Sequence, residues 1–173
     1  MTANDPMVLA AREVLASALT AIRGCVETAS ADALNWRPGG DDTSSIAVLA
    51  VHSLASTRGW LARATAAPRP HRNRDDVFVV VATDAQSVLV IFDEIARDCT
   101  ALLAQPVSVD WNAILPDVER IPDGMRLRTS PTLPERSSPE AVTAGWALIH
   151  ALEHLREHEG QMFLTRQLWD RQA

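Results

Sequence analysis

Trp146 to Trp169, WALIHALEHLREHEGQMFLTRQLW, decides how the rest of the chain is read. Within it His150, His154 and His158 recur every fourth residue. A four-residue step along a helix rotates by only about 40°, so consecutive members of the row share a face one turn apart. Two imidazoles at that spacing can grip one metal ion. The full row drifts by about 80° from end to end, too far for three rings to converge. A third ligand has to come from another helix, and His52 is the other histidine that lies inside a helical pattern. The reading is one metal ion held by His52, His154 and His158.

The remainder of the chain supplies the helices such a site needs. Asp5-Pro6 opens the first, an N-cap acid before a proline whose missing N–H costs nothing there. Val8, Ala11, Leu15, Ala18, Ile22, Cys25 and Val26 follow as one apolar stripe to about Thr28. Arg37-Pro38-Gly39-Gly40 marks a turn, with Trp36 packing onto the bundle. A second helix is capped by Thr43, Ser44 or Ser45 and runs through Ile46, Leu49, Leu54, Trp60 and Leu61 to about Ala67. His52 falls at the edge of its apolar face. Trp60 lies about 80° around from it and roughly 12 Å along the axis.

Pro68 to Asp76 is a polar loop in which His71 is solvated, and the β-branched run Val77 to Ala82 reads as a short extended segment. Thr83 or Asp84 caps a third helix with the stripe Val88, Ile91, Phe92, Ile95, Cys99, Leu102 and Leu103, ending before Pro106. Gln105 to Ser137 holds five prolines and reads as a long irregular connection, functional or lid-like, with a small hairpin at Asp123-Gly124. Ser137 or Ser138, then Pro139 and Glu140, open the fourth helix, which would extend about 45 Å. Four helices with one long third connection make an all-α four-helix bundle, and 173 residues suit a single domain spanning 1–173.

Composition narrows the function classes. Apolar residues are 47% and charged residues 22%, ordinary for a soluble globular chain. Apolar runs reach only six residues, far short of a membrane span. The N-terminus has early acids and no basic-then-apolar layout, so the expected location is cytoplasmic. A net charge of −6 argues against nucleic acid as a partner. All sixteen basic residues are arginine, which excludes a lysine Schiff base. Cys25 and Cys99 lack CxxC spacing and read as buried structural thiols.

Around the histidine row, a ligating imidazole needs its second nitrogen held, a task open to Glu157 or Gln161. Gly160 lowers the bulk of the helix surface nearby, and Glu153, Glu157 and Glu159 otherwise read as solvated helix acids. His154-Leu155-Arg156-Glu157-His158 also fits the H-x-x-E-H pattern of inverzincin proteases. Only fifteen residues follow His158, with no glutamate beyond the adjacent Glu159 to act as the downstream ligand, so the match is one of helix spacing alone. A di-iron carboxylate centre fails too, because no glutamate has a histidine three residues later.

Leu34-Asn35-Trp36-Arg37-Pro38, then Ser45-Ile46, Leu49, His52 and Trp60, resemble the front half of the DinB/YfiT-like superfamily. His150, His154, His158-Glu159-Gly160-Gln161 and Arg166 resemble its last helix. The resemblance runs from about Val8 to Trp169 and is weakest over Pro106 to Ser137. It implies a bundle, often dimeric, that binds one divalent metal such as zinc or nickel. The family's ligands are a helix-two histidine and two helix-four residues, which fall on His52, His154 and His158. In relatives similar to mycothiol-dependent maleylpyruvate isomerase the middle ligand is often glutamate, whereas this chain has His154. His150 then sits a turn above the site, at its mouth.

Three neutral imidazoles on zinc leave a fourth position open, where a bound thiol or water becomes more acidic. The expected function is therefore a metal-dependent S-transferase or isomerase using a low-molecular-weight thiol such as mycothiol and a small-molecule electrophile. Glu157 is the candidate acid–base residue, and Gln161 the group that orients a ligand. Arg58, Arg63, Arg126 and Arg128 are candidates for holding an anionic substrate. A non-catalytic metal- or ligand-sensing bundle and a metal-dependent hydrolase are the alternatives.

Overall fold

The structure, a computed structural model, describes residues 5–68, 79–105, 109–115 and 142–172. Four long helices build it: α1 (Pro6–Glu27), α3 (Ile46–Ala64), α4 (Ala85–Ala104) and α5 (Ala144–Asp170), with a short α2 (Ala31–Asn35) after the first. There is no strand among the described residues, only one isolated bridge between Ile114 and Thr143. The chain is an all-α bundle, as the helical spacing requires.

Each helix starts where a side chain can take up its first free N–H groups. The Asp5 carboxylate accepts from Met7 N–H and Val8 N–H, and the Pro6 ring needs no partner. Ser45 accepts from Val48 N–H, and Asp84 and Ser87 form a reciprocal capping box. The last helix departs from the expected start: Val142 is not helical, and Thr143 is the cap, accepting from Trp146 N–H. At 1.5 Å per residue its 27 residues extend about 40 Å rather than 45.

Helix directions follow from which residues meet. Arg12 reaches Leu103 O and Arg23 reaches Asp93, so α1 and α4 are antiparallel. Ser17 meets Arg156 and Thr28 meets Arg166, so α1 and α5 are parallel. Trp60 packs on Trp146 while His52 packs on His158, so α3 and α5 are antiparallel. The resulting order is up, down, down, up, with α1 facing α3 and α4 facing α5 across the diagonals. Two parallel neighbours, α3 and α4, cannot be joined by a tight turn, which accounts for the long stretch between them.

The seven-residue stripe read from α1 is its buried face, residue for residue. On α4 the stripe shifts slightly: Leu89 is buried, whereas Ile91 is 38% exposed. Helix α3 is buried nearly all round, from Ile46 through Val51 and on to Leu54 and Leu61, which makes it the central helix. Burying each Leu or Ile of such a core contributes about 1.5–3 kcal/mol.

Around the bundle, Trp36 stacks obliquely on Trp169 with ring centroids 5.8 Å apart. Asn35 holds the approach to α4, its amide donating to Ala82 O (2.7 Å) and accepting from Ala82 N–H (2.8 Å). Of the expected extended segment Val77 to Ala82, residues 79–82 are described; they are non-helical and pair with no strand among the described residues. His71, the Asp123-Gly124 hairpin, Arg126, Arg128 and most of the 105–137 connection lie outside the described residues. Among the described residues, no helix is long and apolar enough to cross a membrane.

Candidate metal centre

His52 comes from the middle of α3, and His154 and His158 from the middle of α5. The antiparallel crossing of these two helices brings the three imidazoles together. Ring centroids are 5.4 Å apart for His52 and His154, 5.2 Å for His52 and His158, and 4.4 Å for His154 and His158. Each residue offers one ring nitrogen, and the three nitrogens lie within 4.8 Å of one another. All three side chains are half-buried.

The donor geometry can be tested against a metal. The Nε2 atoms of His154 and His158 are 3.3 Å apart. Two nitrogens bound at about 2.0–2.1 Å on a tetrahedral ion would be separated by roughly 3.3–3.4 Å. The pair on α5 therefore already spans one tetrahedral edge. The His158 ring is also oriented from behind: Nδ1 donates to Gln161 Oε1 at 2.8 Å. Fixing the proton on Nδ1 leaves the lone pair on Nε2, the form in which histidine ligates. A group of three histidines in this arrangement could hold a metal ion.

The neighbouring residues divide into those that meet the site and those that do not. Gln161 supports His158. Glu157 is exposed on the helix surface. Gly160 is exposed and a Cβ built there would meet nothing, so its missing side chain is not what makes room for the rings. Glu159 corrects the expectation of a solvated acid: it is only 9% exposed, and Arg156 donates to it at 2.7 Å while also reaching Ser17 on α1. Its position, four after Leu155 and three before Met162, falls on the buried stripe of α5 and could have been read as such. Arg166 has a packing role, donating to Thr28 O at the end of α1.

His150 does sit a turn above the histidine group, its ring 5.9 Å from that of His154. What sequence reasoning missed is its company. It stacks on Trp146 at 4.5 Å and meets Trp60 edge to face at 4.9 Å. Trp146 was legible as a partner, because it precedes His150 by four residues on the same helix. Trp60 and Arg63 come from α3, and Arg63 lies over the Trp60 ring at 4.7 Å. Arg58, by contrast, turns away toward α4 and pairs with Asp98 at 2.8 Å.

Both cysteines are buried and free. Burial pushes the Cys25 thiol up from its ordinary range and the Cys99 thiol up to about 12. Neither furnishes a thiolate at neutral pH, in keeping with structural roles.

Comparison with known proteins agrees with this architecture. Residues 14–162 match the family model described as the DinB superfamily. Among solved structures, the chain is similar to the crystal structure of a conserved protein from Enterococcus faecalis. The TM-score is 0.64 and the identity 14%, over 92% of this chain and 95% of that one. At that identity the likeness speaks to the fold. No curated protein matches the chain. With most of the bundle and all of His52, His154 and His158 inside the matched region, the chain belongs to the DinB superfamily.

Proposed function

We propose that this protein is a divalent-metal-dependent enzyme that works with a low-molecular-weight thiol, as an S-transferase or an isomerase. The observation that carries the reading is the convergence of His52, His154 and His158, with one ring nitrogen from each within 4.8 Å of the others. Three neutral ligands on a half-buried site suit zinc or nickel with a position left for a substrate atom. An ion there supplies Lewis acidity, lowering the pKa of a thiol or water that reaches it. Because Cys25 and Cys99 are buried and protonated, the reacting thiol has to be a cosubstrate such as mycothiol.

The protein's own groups would then position the reactants. His52 fixes the site to α3, and Gln161 keeps the His158 lone pair aimed inward. Glu157, exposed and adjacent to His158 in sequence, is the candidate to take up or return a proton at the site. The electrophile and the thiol are small molecules, and the setting we infer is a cytoplasmic homodimer.

The test is metal analysis of tag-free protein, followed by thiol titration of the cobalt-substituted form. About one divalent ion per chain is expected, lost in His52→Ala and in His158→Ala. Added thiol should shift the cobalt spectrum. Protein that stays metal-free after supplementation would refute the centre. An unchanged spectrum on a loaded site would refute thiol chemistry in favour of hydrolysis or sensing.

A further inference from the structure

One turn beyond the histidine group, the seam between α3 and α5 is lined by aromatic rings whose arrangement the metal reading leaves unexplained. Trp146 and His150 are stacked, with centroids 4.5 Å apart and planes 20° from parallel. Trp60 stands nearly perpendicular to both, at 5.5 Å and 72° from Trp146 and at 4.9 Å and 88° from His150. Arg63 lies over the Trp60 ring. All three rings are half-buried, so each keeps surface open to solvent, unlike the closed aliphatic packing of the rest of the core. Gly59, within about 20° of His52 on the α3 surface, precedes Trp60, and a Cβ built there would meet nothing within 4 Å. The α3 surface is open at that position. A glycine in mid-helix also has a backbone cost relative to alanine.

We propose that Trp60, Trp146 and His150 form the recognition wall for a planar, π-bearing organic substrate whose ligating end reaches the three-histidine centre. The inference rests on the metal-centre reading and adds the substrate class. The His150 ring is 5.9 Å from that of His154, so a body lying on the wall is close enough for its end to reach the ligating atoms. Perpendicular and stacked rings present both edges and faces, which matches an aromatic or conjugated group by quadrupole as well as by area. A short aliphatic substrate would touch the centre but not the wall.

The experiment compares two probes that ligate through the same group, benzohydroxamate and acetohydroxamate, by calorimetry on zinc-loaded protein. Benzohydroxamate should bind about 10-fold more tightly, the range expected for one to two aromatic contacts. In Trp60→Leu and Trp146→Leu, which keep apolar bulk, the ratio should fall to about 2-fold, with zinc stoichiometry and acetohydroxamate affinity unchanged. His150→Leu serves as a third variant if either tryptophan replacement fails to fold. Zinc-loaded protein that binds the two probes alike, or variants that keep the full ratio, would overturn the wall and leave the centre standing. Protein that takes up no zinc would overturn both.

Discussion

Helices α1 and α4 on one side of the bundle, and α3 and α5 on the other, use the same helical periodicity for different ends. On the first side the buried stripe is apolar, with Leu15, Ile22, Phe92, Ile95 and Leu103 inside beside the thiols Cys25 and Cys99. Charge is kept to the rim there, where Arg23 pairs with Glu27 and Asp93 and Arg12 donates to Leu103 O near the end of α4. On the second side polar groups enter the seam. Ser53 and Thr57 are fully buried, and Thr57 donates to Ser53 O at 2.8 Å, with Ala151 O on α5 at 3.3 Å. The histidines follow one turn away. Burying polar groups forgoes apolar stabilisation and requires every donor to be matched. Helices α1 and α4 therefore contribute packing alone, whereas α3 and α5 carry the candidate metal site in addition to their share of the core.

The largest expected effect tests that division directly. Phe92→Ala should cost about 3–5 kcal/mol in denaturant unfolding, the range for emptying a buried aromatic site. The metal content of its folded fraction should be unchanged. His158→Ala should do the reverse, with metal affinity falling at least about 100-fold while apo-protein stability moves by under about 1 kcal/mol. If Phe92→Ala lost metal at full occupancy of the folded state, or His158→Ala unfolded the apo-protein, the two sides would not be separable.

How far this was legible depended on whether one helix or two carried the information. The α1 stripe could be read outright, because an uninterrupted pattern bounded by Asp5-Pro6 leaves no competing register. On α4 the exchange of Leu89 for Ile91 reflects neighbours on both sides of the helix, which widen the buried arc beyond a single stripe. The start of α5 differs from the expected one because Thr143 is also an acceptable cap by chemistry, its hydroxyl accepting from Trp146 N–H. The α5 histidine pair followed from spacing alone, whereas the approach of His52 depends on the antiparallel crossing of α3. The aromatic wall was hidden for the same reason, since Trp60 and Trp146 are brought together by that crossing. Helix α2, at five residues, is too short for periodicity to show.

A second expectation concerns the core shared by both sides. The chain has no lysine and no tyrosine, so between about pH 9 and 12 the cysteines are the side chains that titrate. Burial holds the Cys99 proton up to about 12 in the folded state, while the unfolded thiol releases it near its ordinary value. Above that ordinary value the unfolded chain carries fewer protons than the folded one, so stability falls as pH rises. The slope approaches about 1.4 kcal/mol per pH unit for one proton and flattens once the folded thiol ionises. Urea midpoints measured across this range should decline in wild type and less steeply in Cys99→Ala. Equal slopes would mean that Cys99 is not the group responsible.

The smallest effect sharpens the functional side, because it removes no ligand. Gln161 is exposed, and its contribution is the single bond that Nδ1 of His158 donates to its carbonyl. Without that acceptor the imidazole can place its proton on Nε2, and the ring can rotate, so a fraction of molecules present no lone pair to the site. Supports of this kind are worth about 10- to 100-fold in metal affinity, and solvent beside an exposed one can replace part of the bond. Gln161→Leu should therefore weaken metal binding by about 10-fold. Gln161→Glu, which retains an acceptor oxygen, should keep affinity near wild type. Competition against a chelator of known affinity reads both. If Leu and Glu behaved alike, the orientation of His158 would be set by α5 packing alone, and the division between the two sides of the bundle would extend to the ligand's own support.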